Sequence, residues 1–115
     1  MLRIGELARK AGVSTRSLRY YEEQGLLDSE RTSGGQRLYE EEAVERVRFY
    51  QDLYAAGLPS RRIVELLPCI DRGHTDAQQR RMLHAERARV QEKIDRLRVA
   101  MSRLDEIIAV TADHP

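Results

Sequence analysis

VSTRSLRYYE, residues 13–22, is the stretch that decides the fold, because it has the pattern of a short helix that follows a tight turn. Ser14 is a favoured N-cap residue. Leu18 and Tyr21 lie three positions apart, so they share a helix face that we expect to point inward. The helical pattern before this stretch ends at Gly12, a residue that readily adopts the left-handed backbone of a helix C-terminus. Two helices joined by such a turn predict a helix-turn-helix.

The segment after the second helix predicts a β-hairpin. Gly34 and Gly35 lie between short segments of mixed polar and apolar residues, which is typical of a hairpin tip. Arg31 and Arg37 flank this tip. A basic hairpin that directly follows a helix-turn-helix predicts a wing, which would provide a second contact with DNA beside the recognition helix.

Two linker helices are predicted after the hairpin. The second of them is expected from Ser60 to Leu67, and Pro68 should end or bend it because proline lacks a backbone N–H group. Residues 1–68 are therefore predicted to form a winged helix-turn-helix DNA-binding domain. Residues 69–74 are predicted to form a linker loop.

Residues 75–110 show one continuous helical pattern with an apolar seam. Together with the helices predicted before it, this segment makes the predicted fold class mainly α. The steps along the seam alternate between four and three residues, as at positions a and d of a coiled-coil heptad. Its members are Leu83, Val90, Ile94, Leu97, Met101, Leu104 and Ile108. Arg87 interrupts the seam after its first member. The small N-terminal domain cannot cover a helix of this length, so the pattern predicts a dimerisation helix that pairs with a second copy.

The composition of the 115-residue chain argues against an enzyme. Aromatic residues make up only 5% of the sequence, and a chain this short cannot build a deep pocket for a substrate. We find no Ser/His/Asp set, phosphate-binding loop or paired carboxylates, and we expect neither a cofactor nor a bound metal. The net charge is only +1, so the positions of the charges are more informative than their sum.

Cysteine usage and hydropathy indicate a cytoplasmic protein. Cys69 is the single cysteine, which excludes an intrachain disulfide and fits a reducing compartment. No apolar run approaches the roughly 20 residues of a membrane span. The N-terminus lacks the apolar core of a secretory signal.

Several stretches resemble the MerR family of bacterial regulators. They are IGELA at 4–8, VSTRSLRYYE at 13–22, GLL at 25–27, RLY at 37–39 and AGLPS at 56–60. The resemblance covers nearly the whole chain in the order of the family. It implies a winged-helix headpiece, a pair of linker helices and an antiparallel coiled-coil dimer. It further implies a pseudo-palindromic promoter operator, which the dimer distorts in response to an effector so that RNA polymerase can engage both promoter elements.

The resemblance also implies which residues contact DNA. Base and backbone contacts are expected from the second helix and its N-terminus, and phosphate contacts from the wing and from the start of the fourth helix. These residues are Ser14, Thr15, Arg16, Arg19, Tyr20, Arg37, Tyr39, Arg61 and Arg62. A surface arginine is also compatible with simple solvation, but a helix-turn-helix and a wing on the same side favour DNA contact.

Two further interpretations stay open at this point. Metal-sensing members of the family use several thiolates, whereas this chain has one cysteine and no cysteine in its C-terminal tail. Cys69 is therefore either a buried small hydrophobic residue or, with His74 nearby in sequence, part of an effector or redox site for an unidentified effector. The alternative function is a coiled-coil protein-interaction adaptor whose headpiece does not bind DNA.

Overall fold

A computed structural model describes residues 1–112 of the chain, so the tail from Asp113 to Pro115 lies outside the described residues. The elements are β1 (Leu2–Arg3), α1 (Ile4–Ala11), α2 (Thr15–Glu23), β2 (Glu30–Arg31), β3 (Arg37–Tyr39), α3 (Ala43–Ala55), α4 (Ser60–Arg72) and α5 (Ala77–Thr111). The first compact unit extends from Met1 to His74, and the second begins at Thr75. The predicted fold class, mainly α with a winged helix-turn-helix and a long C-terminal helix, is confirmed.

The helix-turn-helix forms as the sequence predicts. Gly12 ends α1 in the left-handed conformation with φ of 74°, and its N–H donates to the Ala8 carbonyl. Ser14 caps α2, because its hydroxyl accepts the backbone N–H of Ser17 at 3.1 Å. Leu18, on the inward face of α2, is fully buried. The turn and the cap together set the angle at which α2 leaves the core.

The wing belongs to a three-stranded antiparallel sheet with the order β1-β3-β2. The hairpin tip contains Gly35 at φ of 82°, as expected for a glycine turn. Arg3 of β1 pairs with Leu38 of β3, and Arg31 of β2 pairs with Arg37 of β3. The N-terminal strand therefore fixes the inner strand of the wing to the rest of the unit.

The core of the first unit contains three buried tyrosines, two of which the sequence pattern did not place there. Tyr21 was expected inside and is 3% exposed, while Tyr39 and Tyr50 have no exposed surface. Tyr50 donates its hydroxyl to the Leu26 carbonyl at 2.7 Å, which satisfies its polar end in the core. Phe49 is 40% exposed, because the inward face of α3 carries its neighbour Tyr50 instead.

The fourth helix is longer than predicted. α4 continues through Pro68 to Arg72 and ends at Gly73, which adopts the left-handed conformation with φ of 69°. The predicted helix end at Leu67 is wrong, and so is the loop predicted for residues 69–72. The apolar face continues past the proline, since Cys69 is buried, and the packing of that face outweighs the loss of one backbone hydrogen bond.

Pro68→Ala should raise the free energy of unfolding. Alanine restores a helical N–H donor and removes the clash of the proline ring with the preceding turn, so we expect a gain of about 1–3 kcal/mol. Urea unfolding at one fixed protein concentration measures the change. Pro59→Ala is the matched control, because Pro59 is the N-cap of α4 and has no interior helical hydrogen bond to restore. A loss of stability in Pro68→Ala would show that packing of the ring dominates.

The long C-terminal helix begins two residues later than predicted, at Ala77 instead of Thr75. Asp76 caps α5, since its carboxylate accepts the Gln79 N–H at 2.8 Å while the Gln79 side chain accepts the Asp76 N–H at 3.0 Å. The helix has 35 residues, which gives a length of about 52 Å. Among residues 1–112, no helix combines the length and the apolar character that a membrane crossing requires.

Candidate nucleic-acid interface

The outward face of α2 carries the residues predicted to contact DNA. Leu18 and Tyr21 anchor the opposite face in the core, so Arg16 and Arg19 are left exposed to solvent. Tyr20 is 44% exposed on the same helix. Arg and Tyr are the donors that typically reach bases and phosphates from a recognition helix. The packing of α2 therefore presents this set outward without further rearrangement.

The N-terminus of α2 provides backbone donors beside these side chains. The first N–H groups of a helix lack intrahelical partners, and the helix dipole favours negative charge there. Ser14 is exposed, but its hydroxyl already accepts the Ser17 N–H, so it acts first as a cap. Thr15 is partly exposed at the first helical position. A phosphate contact at this end of the helix, through its backbone N–H groups as well as through Ser14 and Thr15, stays a prediction.

Three arginines from separate elements line one cleft between α2 and the wing. Arg3 comes from β1, Arg19 from α2 and Arg37 from β3, and the cleft has a volume of about 290 Å³. Arg3 and Arg19 are exposed and Arg37 is partly exposed. Three arginines that line one cleft favour an anion such as a phosphate group as the occupant, with the Arg37 charge partly offset by Glu22. Sequence reasoning missed Arg3, because only the pairing of β1 with β3 brings it beside the wing.

Glu22 connects the recognition helix to the wing. One of its carboxylate oxygens accepts the Tyr39 hydroxyl at 2.6 Å, and the other lies 3.0 Å from the Arg37 Nε. Burial and the Glu22 carboxylate both raise the pKa of Tyr39 well above its usual value, so the phenol stays protonated as the donor. This arrangement, the Glu22 clamp, fixes β3 against α2 and orients the Arg37 guanidinium.

The structure corrects the prediction for Tyr39. Its side chain has no exposed surface and its hydroxyl is bound to Glu22, so it cannot touch a phosphate. Tyr39 follows Arg37 by two positions in β3, and the two side chains therefore lie on the same face of the strand. Its role is to support the wing from the core rather than to contact DNA.

Glu22→Ala should destabilise the first unit. The substitution leaves the buried Tyr39 hydroxyl without its acceptor, which costs about 1–3 kcal/mol. Glu23→Ala is the matched control, because Glu23 is the exposed neighbour on the same helix. We expect the control to change the free energy of unfolding by less than about 0.5 kcal/mol. Equal effects of the two substitutions in urea unfolding would contradict the clamp.

The start of α4 lies on the same side as the recognition helix. The Tyr20 hydroxyl is 2.9 Å from the Ser60 Oγ, which brings the first residue of α4 beside α2. Arg61 follows and is exposed, whereas Arg62 is partly exposed and pairs with Glu65 at 3.1 Å. Arg61 is therefore better placed than Arg62 for a contact with the DNA backbone.

The structure does not bring a metal-binding set together around Cys69. Cys69 is 8% exposed on α4, and His74 lies beyond the end of that helix, with its Nδ1 3.2 Å from the Arg72 carbonyl oxygen. Within residues 1–112, no cluster of three or more His, Cys, Asp or Glu side chains could hold a metal ion. The burial agrees with a small hydrophobic role, and a sensor role for this thiol stays a prediction.

Comparisons with known proteins agree with this geometry. The family described as MerR HTH family regulatory protein matches residues 2–69. The chain is 36% identical over 119 residues to the HTH-type transcriptional regulator ZntR of Escherichia coli (strain K12), an alignment that covers 97% of this chain and 84% of that protein. It is 42% identical over 71 residues to the mercuric resistance operon regulatory protein of Bacillus cereus, covering 61% of this chain and about half, 54%, of that relative.

A solved structure shows the same fold. HiNmlR, a MerR family regulator lacking the sensor domain and bound to promoter DNA, superposes with a TM-score of 0.80 at 22% sequence identity. The superposition covers 96% of this chain and 90% of that one. At this identity the likeness concerns the fold, and it includes both the headpiece and the long helix.

Proposed function

The chain belongs to the MerR family of helix-turn-helix regulatory proteins, and on that premise we propose that two copies bind a pseudo-palindromic promoter operator through their headpieces. Members of the family are regulators rather than enzymes, and they bind promoter DNA and act with RNA polymerase. Residues 1–68, extended by the rest of α4, form the headpiece in this proposal. Residues 75–110 form the dimerisation helix.

One observation carries the DNA-binding part of the proposal. α2 exposes Arg16 and Arg19 on the face opposite its core residues, and the wing places Arg37 across the cleft from Arg19. A protein-interaction adaptor has no need of guanidinium groups gathered from a helix and a wing on one surface. A duplex offers such a surface bases in the major groove and phosphates on either side.

The dimer part of the proposal rests on the exposed seam of α5. In the single chain, large apolar residues along this helix remain accessible to solvent, at 66% for Leu97, 58% for Met101, 58% for Leu104 and 64% for Ile108. They recur at heptad spacing along one stripe, while most other positions of the helix are polar or charged, apart from the exposed Val99, Ile107 and Val110. Burial of such a stripe against a partner helix is favourable by about 25 cal/mol for each Å² removed from water. A second copy supplies an identical stripe.

A symmetric dimer determines the kind of operator and suggests how it is regulated. Two identical headpieces related by a two-fold axis require two inverted half-sites at a set spacing. We propose that an effector changes the distortion that the dimer imposes on the duplex between the half-sites, and thereby the access of RNA polymerase. An effector or redox role for Cys69 and His74 is a secondary proposal that rests on their closeness in sequence, because the burial of Cys69 favours a hydrophobic role.

Footprinting of the purified protein on the promoter upstream of its own gene tests the function. We expect two protected half-sites in inverted orientation and an affinity that falls steeply as the salt concentration rises. Addition of RNA polymerase to the same footprinting reaction shows whether the protein activates or represses transcription. No protection of any duplex in dilute buffer would overturn the proposal and would favour the adaptor.

A further inference from the structure

The Ser60 hydroxyl joins two tyrosines that belong to different helices. The Tyr20 hydroxyl of α2 lies 2.9 Å from the Ser60 Oγ, and the Tyr54 hydroxyl of α3 lies 2.6 Å from the same atom. Ser60 is only 9% exposed, whereas Tyr20 is 44% exposed. The three hydroxyl groups therefore form a chain that begins at the partly buried Tyr54, passes through the nearly buried Ser60 and ends at Tyr20 on the helix that carries Arg16 and Arg19.

The Tyr54 end of this chain is held by ring packing. The Tyr54 ring stacks on Tyr21 with the centroids 5.7 Å apart and the planes 13° apart. Tyr21 is itself buried and accepts a hydrogen bond from the Gln51 side chain. Burial raises the pKa of Tyr54, so its hydroxyl keeps its proton at neutral pH. The stacked Tyr54 ring therefore holds its hydroxyl at a defined place beside Ser60, and either oxygen can donate in this hydrogen bond.

The direction of the hydrogen bonds follows from counting protons. Each hydroxyl donates one proton and accepts through its lone pairs. If the Tyr20 hydroxyl gives its proton to an outside acceptor, its oxygen can still accept from Ser60, and Ser60 can accept from Tyr54. The bonds then run from Tyr54 through Ser60 to Tyr20 in a single direction. Each bond in such a chain polarises and strengthens the next.

We propose that Ser60 and Tyr54 are positioning residues that orient the Tyr20 hydroxyl as the donor to a phosphodiester oxygen of the operator. This inference rests on the proposed function, because the acceptor is DNA. A phosphate oxygen is the fitting acceptor, since it takes hydrogen bonds from neutral donors at any base sequence. Without Ser60, the exposed Tyr20 ring loses the contact that holds its hydroxyl beside α4.

A double-mutant cycle between Tyr20 and Ser60 tests the proposal. Tyr20→Phe and Ser60→Ala should each weaken binding of a duplex carrying the footprinted operator by about 2- to 10-fold. In the Tyr20→Phe background, Ser60→Ala should have almost no further effect, because both substitutions remove the same contact. Ser60→Thr keeps the hydroxyl and should restore most of the affinity. Fluorescence anisotropy with a labelled duplex measures all four proteins and the wild type.

Two further measurements test whether Tyr20 contacts the phosphate backbone and not a base. A neutral donor to phosphate releases no counterion, so the slope of log affinity against log salt should stay as in the wild type. The loss should also be equal on the operator and on an unrelated duplex, because the contact carries no base information. Tyr54→Phe, which removes the first donor of the chain, should give a smaller loss of the same kind.

The outcomes separate the inference from the proposed function. Additive losses in the cycle, or wild-type affinity of both Ser60→Ala and Tyr54→Phe, would overturn the positioning role while leaving DNA binding intact. If Ser60→Ala does not give the circular dichroism spectrum of a folded protein, the cycle of Tyr54→Phe with Tyr20→Phe decides instead. A wild-type protein that binds no duplex defeats the proposed function, and the inference with it.

Discussion

Leu97→Asp should convert the proposed dimer into a monomer. Leu97 lies in the middle of the seam and is 66% exposed in the single chain, so in the dimer it is the partner helix that must cover it. An aspartate there removes an apolar contact and places a carboxylate in the interface of each copy. Loss of the apolar contact alone costs about 2–5 kcal/mol for each copy. The dimer dissociation constant should therefore rise by about a thousandfold or more.

Sedimentation velocity at micromolar concentration measures this change, and footprinting reports its consequence. A monomer carries one headpiece, so protection of paired half-sites should be lost even though each headpiece stays folded. Arg98→Asp is the matched control, because Arg98 is the exposed neighbour outside the seam and receives the same side chain. If the Leu97→Asp protein still sediments as a dimer at micromolar concentration, the seam is not the dimer interface.

Arg16→Ala and Arg19→Ala should each weaken operator binding by about 1–3 kcal/mol if the arginine contacts a guanine. This corresponds to about 5- to 150-fold in affinity. The losses should be largest for the arginine that reads a base, and that variant should discriminate less between the operator and a duplex mutated at the contacted position. If the arginine contacts only phosphate, its removal should instead lower the affinity for all duplexes alike. The slope of log affinity against log salt concentration should then fall by about one in magnitude.

Lys10→Ala provides the control for charge. Lys10 is an exposed cation on α1, where it lies 3.8 Å from Glu41, and its removal changes the net charge by the same amount. We expect its affinity for the operator to stay within about twofold of the wild type. Unchanged binding by both arginine variants in a mobility-shift titration would discredit α2 as the recognition helix.

The sequence allowed prediction of the features that depend on local pattern. The turn at Gly12, the cap at Ser14, the glycine hairpin and the heptad seam each follow from short-range rules, and the structure contains the first three together with the long helix that carries the seam. Burial of Leu18 also followed from helical spacing. These features are sufficient to place two arginines of the recognition helix at the surface.

Features that depend on packing between distant elements were predicted less well. Tyr39 was expected to contact DNA, with a packing role as the alternative, and the Glu22 clamp and the core place it inside. No local sequence signal distinguishes Arg3, because only the pairing of β1 with β3 brings it beside the wing. Pro68 is a helix breaker by propensity, yet the buried face of α4 continues past it. In each case a tertiary contact outweighed the local preference.

The Glu22 clamp has a mechanical consequence for the choice of binding site. Because Glu22 contacts both Tyr39 and Arg37 of β3, the spacing between the wing and α2 resists a change that would fit a groove of another width. The bound DNA would then have to deform instead, and the energy of this deformation varies with the local base steps. We therefore expect natural sites to favour easily kinked pyrimidine–purine steps at positions that no side chain touches.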